Sequence, residues 1–192
     1  MANYFKNLPR VSYDITGTAP NNFLSVTNIM KRIKFKPKII EDIIDYYPYR
    51  VVDGERPDII SFREYGTVGY AYLIMLINDI VDPNFDWPLS TQLFEKFIEN
   101  KYGSVSTAMS DIKHYYQIVR AEVPRTGVSE RVPEVKFIVD LTTYDALDVG
   151  DRSTQTVYEF EEELNDNKRE IKLINSDFIQ DIDYKVKTSL VS

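Results

Sequence analysis

The segment from Tyr49 to Ser90 constrains the fold more than any other part of the chain, because its sequence predicts a complete small unit of a strand, a turn, two helices and a second extended stretch. Tyr49–Val52 is a β-prone run. The pair Asp53-Gly54 that follows it is typical of a turn, since glycine adopts a positive φ without steric cost. We therefore expect a strand that ends at this turn.

Two helices are predicted after the turn. Pro57 suits the first turn of a helix, and Gly66 suits the left-handed residue that follows the last turn. The apolar face of this first helix would consist of Ile59, Ile60, Phe62 and Tyr65. The run Tyr70–Ile77 is apolar on every side, which predicts a second helix covered by protein almost all round. That run is far shorter than the roughly 20 residues that a membrane-spanning helix needs. Beyond Asn78 we expect a second extended stretch through Trp87-Pro88-Leu89.

The order strand, helix, helix, strand resembles the LysM module, with Asp53-Gly54 at the turn and Asn78 just after the second helix. This resemblance implies a candidate glycan groove formed by Asp53, Gly54 and Asn78. It gives an alternative function, a module that binds peptidoglycan or N-acetylglucosamine polymers.

A longer match points to a different function. The runs GERPDIISFREYG, YAYLIMLINDIVDPNFDWPLS and FEKFIENKYG, between Gly54 and Gly103, resemble the baseplate wedge protein of T-even-type contractile-tailed phages, the gene product fifty-three family. YEFEEELNDNKREIKLI, from Tyr158 to Ile174, is similar to a charged segment of the same kind of protein. The resemblance implies a structural subunit of the tail baseplate, assembled in the bacterial host cytoplasm. Its implied partners are other wedge proteins: it would bind the wedge core and bridge to the neighbouring wedge.

Composition agrees with a structural role. The net charge of −7 provides no basic field for nucleic acid, and the absence of cysteine excludes disulfides and thiolate chemistry. The N-terminal run MANYFKNLPR lacks the apolar region of a signal peptide. The one histidine, His114, has no nucleophile motif around it, and we find no phosphate-binding or calcium-binding loop motif. We therefore predict no catalytic residue, no cofactor and no metal site, and no membrane partner.

The whole chain is expected to be α+β, in four parts: 1–45, an N-terminal extended arm and a helix; 46–90, the LysM-like unit; 91–112, a helical segment; and 113–192, C-terminal strands and helices. The arm, 1–20, could equally be a plain strand. Val26–Phe35 is ambiguous between strand and helix, whereas Pro37–Tyr46 has helical spacing. Ser90 and Ser104 are predicted to cap two helices.

The C-terminal part combines a predicted hairpin with helices. His114–Val123 and Glu134–Leu141 should pair, and the loop between them is long enough for a contact finger. Thr154–Glu170 favours a long charged helix, with a hairpin turning at residues 165–167 as the alternative. Ser176 should cap a final helix.

Aromatic residues are the candidate contact groups, because interfaces are enriched in them. Trp87 is interpreted either as an interaction anchor or as an internal clamp on the following helix. The candidate interface residues are Trp87, Tyr70, Tyr72, Phe85, Tyr115, Tyr116 and Tyr158.

Overall fold

The computed structural model of the chain describes residues 8–14, 17, 23–31, 46–124 and 132–191. These residues form an α+β fold, as predicted. The fold divides into two compact units: unit 1 contains Met1–Pro88 and Lys168–Ser192, and unit 2 contains Leu89–Asn167. Most of the helix predicted for Pro37–Tyr46 lies outside the described residues, and Tyr46 itself begins a strand.

The elements follow in chain order. The strands are β1 (Arg10–Asp14), β2 (Phe23–Thr27), β3 (Tyr46–Arg50), β4 (Ile112–Arg120), β5 (Val135–Val139), β6 (Arg152–Thr156) and β7 (Glu170–Ile174). The helices are α1 (Pro57–Tyr65), α2 (Ala71–Ile77), α3 (Thr91–Tyr102), α4 (Val105–Ser110), α5 (Leu141–Ala146), α6 (Val157–Asn167) and α7 (Ile179–Val191). Short 3-10 turns occur at Val68–Tyr70 and Val149–Asp151.

In unit 1 the predicted turn and two helices are confirmed, whereas the strand predicted for Tyr49–Val52 lies earlier, at Tyr46–Arg50. Of the apolar face predicted for α1, Ile60 and Tyr65 pack in the core, but Ile59 and Phe62 are exposed. Pro57 opens α1, and Gly66 ends it at φ 71° with its N–H bonded to the Phe62 carbonyl. Every residue of α2 is buried or half-buried, as expected of a core helix. Two clusters form the core: one around Leu73, Ile174 and Val186, and one around Ile60, Ile74, Trp87 and Leu173.

The predicted second strand of this unit was wrong. Trp87–Leu89 forms no strand, and β3 pairs antiparallel with β7 instead, from Tyr46 opposite Ile174 to Arg50 opposite Glu170. The strand, helix, helix, strand order is thus completed by residues far along the chain, with unit 2 inserted after Pro88. The resemblance to a LysM module is not confirmed.

The long helix predicted for Thr154–Glu170 was partly wrong as well. Its middle is α6, but β6 precedes that helix and β7 begins at Glu170. Ile171, Leu173 and Ile174 of β7 are buried, so burial in the unit 1 core outweighs the helical spacing of the preceding charged residues. The final helix, α7, is present but begins at Ile179, three residues after the predicted cap.

The N-terminal region described in unit 1 is a two-stranded antiparallel ribbon of β1 and β2. This corresponds to the strand alternative for the N-terminal arm. Leu8, just before the ribbon, is buried in the core cluster of Leu73 and Val186. The ribbon itself contains no fully buried residue.

Unit 2 places a three-stranded antiparallel sheet among helices, in the order β5-β4-β6. The predicted β4–β5 hairpin is confirmed, and Ser104 caps α4 by accepting the Thr107 N–H at 3.0 Å. α3 begins after Ser90 and ends at Gly103, as predicted, but the Ser90 side chain makes no capping hydrogen bond. The core of this unit consists of Phe94, Ile98, Ala108 and Val157.

Candidate interaction surfaces

A polar network joins α1 to β3 in unit 1. The Tyr49 hydroxyl donates to Glu55 at 2.6 Å, and the Arg63 guanidinium lies 2.5 Å from both partners. Arg63 also contacts Glu64, which accepts the Tyr47 hydroxyl at 2.8 Å. Burial and this bond to Glu64 raise the pKa of Tyr47 to about 12. Tyr47 therefore stays a neutral donor throughout the physiological range.

The candidate glycan residues make structural contacts. The Asn78 amide donates to the carbonyls of Ile74 at 2.8 Å and Lys172 at 2.9 Å, and its oxygen accepts the Lys172 N–H at 2.8 Å. Asp53 accepts a hydrogen bond from Arg169 at 3.2 Å, and Gly54 has the positive φ of 72° that its turn requires. These contacts engage the Asn78 amide and the Asp53 carboxylate within the fold.

Each outer edge of the β3–β7 pair is interrupted at its central residue. Lys172 directs its N–H and C=O to the Asn78 amide, which occupies the outer edge of β7 as a short strand would. Pro48 stands opposite Lys172 in the pairing. Since Lys172 points away from β3 here, the two form a pair without mutual hydrogen bonds, and Pro48 faces outward. A proline at that position removes the donor that an added strand would need.

The loop from Val81 to Trp87 presents an aromatic side chain on a braced backbone. The Asp86 carboxylate accepts the N–H groups of Val81 at 2.9 Å and Asp82 at 3.0 Å. These bonds lower the pKa of Asp86. Lys168 donates to the Phe85 carbonyl at 2.6 Å, while the Phe85 ring remains 74% exposed. Phe85 is thus a candidate contact residue held in a defined position.

Trp87, two residues later, is buried in its own unit. Its ring is only 7% exposed and packs in the cluster of Ile60, Ile74 and Leu173, and its indole N–H donates to the Glu55 carbonyl at 2.8 Å. The ring anchors the loop that carries Phe85. A direct contact of Trp87 with a partner stays a prediction.

The two other aromatic candidates of unit 1 are half-buried. Tyr70 lies edge-on against Tyr65, with ring centres 6.0 Å apart. The Tyr72 hydroxyl donates to Asp183 of α7. Both pack against the core cluster of Leu73 and Val186, so each offers only part of its ring to a partner.

The candidates of unit 2 lie on or beside the sheet. Tyr115 packs on Tyr144 of α5 at 4.9 Å between ring centres, and the Tyr116 hydroxyl donates to Gln155 at 2.9 Å. Tyr158 meets Phe94 edge-on at 5.4 Å. All three are half-buried, and the sheet that carries the first two is covered on one face by α5.

A buried carboxylate ties α6 to α3 in unit 2. Glu161 accepts from Lys101 at 2.8 Å and from the Tyr102 hydroxyl at 2.5 Å. Burial by itself would raise the pKa of Glu161, but the bonds from these two donors outweigh it and lower the pKa. The carboxylate therefore stays ionised and holds the two helices together.

Two apolar surfaces were not among the sequence candidates. In the ribbon, Val11 stands opposite Val26 and Tyr13 opposite Leu24, so these four side chains share one face, and Tyr13 is 60% exposed. In unit 2 the strand β5 exposes Phe137 and Ile138. The sequence signal was present in both cases, because apolar residues alternate in RVSYD and cluster in KFIV.

The described residues contain no group of three or more His, Asp or Glu that could hold a metal ion. Within the same part of the chain, no helix is both long and apolar enough to cross a membrane.

A family model described as Base plate wedge protein 53 matches residues 3–186, nearly the whole chain. The chain belongs to this family. It is a baseplate wedge protein of a phage tail, and its place is in the virion. Membership of the family implies interaction with other baseplate proteins. No curated protein matches the chain.

Proposed function

We propose that this wedge protein binds the core of one wedge and bridges to the neighbouring wedge during baseplate assembly. The observation that carries the proposal is the family match over residues 3–186. Two structural features support the bridging role: the chain forms two compact units, and each unit exposes apolar side chains of its own. A bridging subunit needs at least two such surfaces.

Unit 1 is the better candidate for binding the wedge core. It carries the ribbon face of Val11, Tyr13, Leu24 and Val26, and it carries the braced Phe85. A two-stranded ribbon is marginally stable by itself, so a partner that covers its apolar face would also stabilise it. A ring presented on a hydrogen-bonded backbone loses less backbone freedom on binding than one on a free loop, which favours affinity. Unit 2 would then contact the neighbouring wedge.

Reconstitution from the other wedge proteins of the same phage tests this assignment. We expect Tyr13→Ser combined with Leu24→Ser, or Phe85→Ala alone, to lower incorporation into single wedges by about tenfold or more, as an interface hot spot does. Tyr184→Ser is the matched control, because Tyr184 on α7 is also a highly exposed aromatic residue of unit 1. Incorporation is measured by sedimentation of the assembled wedges.

A second readout separates the two contacts. Variants of unit 1 should prevent entry into a wedge, whereas variants of unit 2 should enter wedges that then fail to join. Wedges that assemble and join equally well without this chain would refute the proposed function.

A further inference from the structure

β5 pairs with β4 along one edge. Along its other edge, called the open edge here, no strand is present among the residues that the structure describes. Alternate residues of such a strand direct their N–H and C=O groups outward, where they form a row of donors and acceptors. Only another extended backbone matches that row along its length.

The open edge contrasts with the β3–β7 pair. There, the Asn78 amide occupies the outer edge of β7, and Pro48 removes a donor from β3. β5 contains neither a proline nor a side-chain amide, and its one charged residue is Lys136. Lys136 lies over the Tyr116 ring, 4.5 Å from its centre, rather than across the edge.

The side chains that flank the edge are apolar on both faces of the sheet. Phe137 is 59% and Ile138 62% exposed, and as neighbours in a strand they point to opposite faces. Val119 in β4 and Val123, which follows β4, are exposed as well. A helix or a loop that covered one face would leave the other bare. An added strand would cover Phe137 and Ile138 together.

The negative charge of unit 2 favours a basic segment as the added strand. Residues 89–167 contain 15 Asp and Glu and 8 Lys and Arg, a net charge of −7, so the rest of the chain is balanced. Glu134 and Asp140 bracket β5 directly. Two copies of unit 2 would therefore repel each other as they met edge to edge, whereas a basic segment would be attracted.

We propose that β5 accepts, as a fourth strand of its sheet, an extended segment of net positive charge from a protein of the neighbouring wedge. This inference rests on the proposed bridging function and specifies how unit 2 makes its contact. Main-chain hydrogen bonds hold the added strand, and its successive side chains pack on Phe137 on one face and on Ile138 on the other, which sets the register.

Hydrogen exchange resolved to single amides tests the proposal on the full chain in three states: free, in single wedges and in joined rings. We expect the outward amides among residues 135–139 to exchange about tenfold more slowly, or slower still, in joined rings only. Ile138→Lys places a charge on the edge and should lower the joining of wedges by about tenfold. Val149→Lys is the control, since it adds the same charge at an exposed site of unit 2 away from the edge.

The outcomes are distinct. If rings form with this chain in place while those amides exchange as fast as in the free protein, the strand addition is refuted and the bridging function survives. Slowing that appears in the pure chain as its concentration rises would show pairing of two copies, and it would overturn the proposal too. If wedges join without the chain, both proposals fail. The exchange measurement uses the unaltered sequence, so it decides the matter even if Ile138→Lys fails to fold.

Discussion

Asn78 offers the sharpest test of how unit 1 is held together. Its side chain makes three hydrogen bonds, at 2.8 to 2.9 Å, that join the end of α2 to the outer edge of β7. Asn78→Ala removes all three and leaves the N–H and C=O of Lys172 without these partners. Water can reach Lys172, because that residue is exposed, so the penalty there is partial.

The expected magnitude follows from these bonds. Each intramolecular hydrogen bond contributes about 0.5 to 1.5 kcal/mol net, and the two at exposed Lys172 belong at the lower end. We therefore expect Asn78→Ala to lower the free energy of unfolding of unit 1 by about 2 kcal/mol. With a urea dependence of about 2 kcal/mol per molar, the midpoint would fall by about 1 M.

Urea unfolding followed by tryptophan fluorescence is the assay. Trp87 is the sole tryptophan of the chain and lies in the core of unit 1, so its emission reports on this unit. Asn84→Ala is the matched control, because Asn84 bonds only to Asp82 within the exposed loop. If the two variants unfold at the same urea concentration, the stabilising role assigned to Asn78 is refuted. Loss of glycan binding without loss of stability would instead favour the alternative function.

Three further changes probe other parts of the fold. Glu161 has a lowered pKa in the folded state, so its bond to Lys101 stabilises the fold above the unfolded-state pKa of about 4.3. This contribution is lost as the pH falls through the folded-state pKa. Thermal melts followed by circular dichroism should therefore show that Glu161→Gln is less stable than the parent at pH 7, and that the difference shrinks below about pH 4. Gly66→Ala should lower stability by about 1 kcal/mol in urea unfolding, since the φ of 71° disfavours a Cβ and no atom nearby would clash with one. Ile98→Ala should lower the free energy of unfolding by about 3 kcal/mol, whereas Leu93→Ala on the exposed face of α3 should change it by less than about 0.5 kcal/mol; equal losses in chemical denaturation would refute the assigned burial.

The local elements were predictable because their signals are local. Pro57 and Gly66 bound α1 through backbone geometry that depends on no distant residue. The apolar run of α2 likewise indicated a core helix. The hairpin of β4 and β5 followed from a β-rich run and a neighbouring run in which apolar and polar residues alternate. In each case the residues that decide the structure lie within one short window.

The partner of β3 was not predictable in this way. EIKLI follows a charged helix and is too short to show its own period, and the helix predicted from the preceding residues reached only its first residue, Glu170. Arg50 and Glu170, which pair in the sheet, are 120 residues apart in the chain. The local sequence around either residue does not identify the other strand as its partner. Among the candidate site residues, aromatic character did not separate exposed Phe85 from buried Trp87, since that difference depends on the core cluster around Leu173.

The insertion of unit 2 between α2 and β7 has a consequence for biosynthesis. When the nascent chain has delivered α2, the strand that completes the sheet has yet to be translated, and Leu73 and Ile74 have no β7 to cover them. Residues 89–167, by contrast, emerge from the ribosomal exit tunnel as one continuous stretch. We therefore expect unit 2 to fold before unit 1, because unit 1 cannot complete its sheet until the ribosome has translated β7 as far as Ile174.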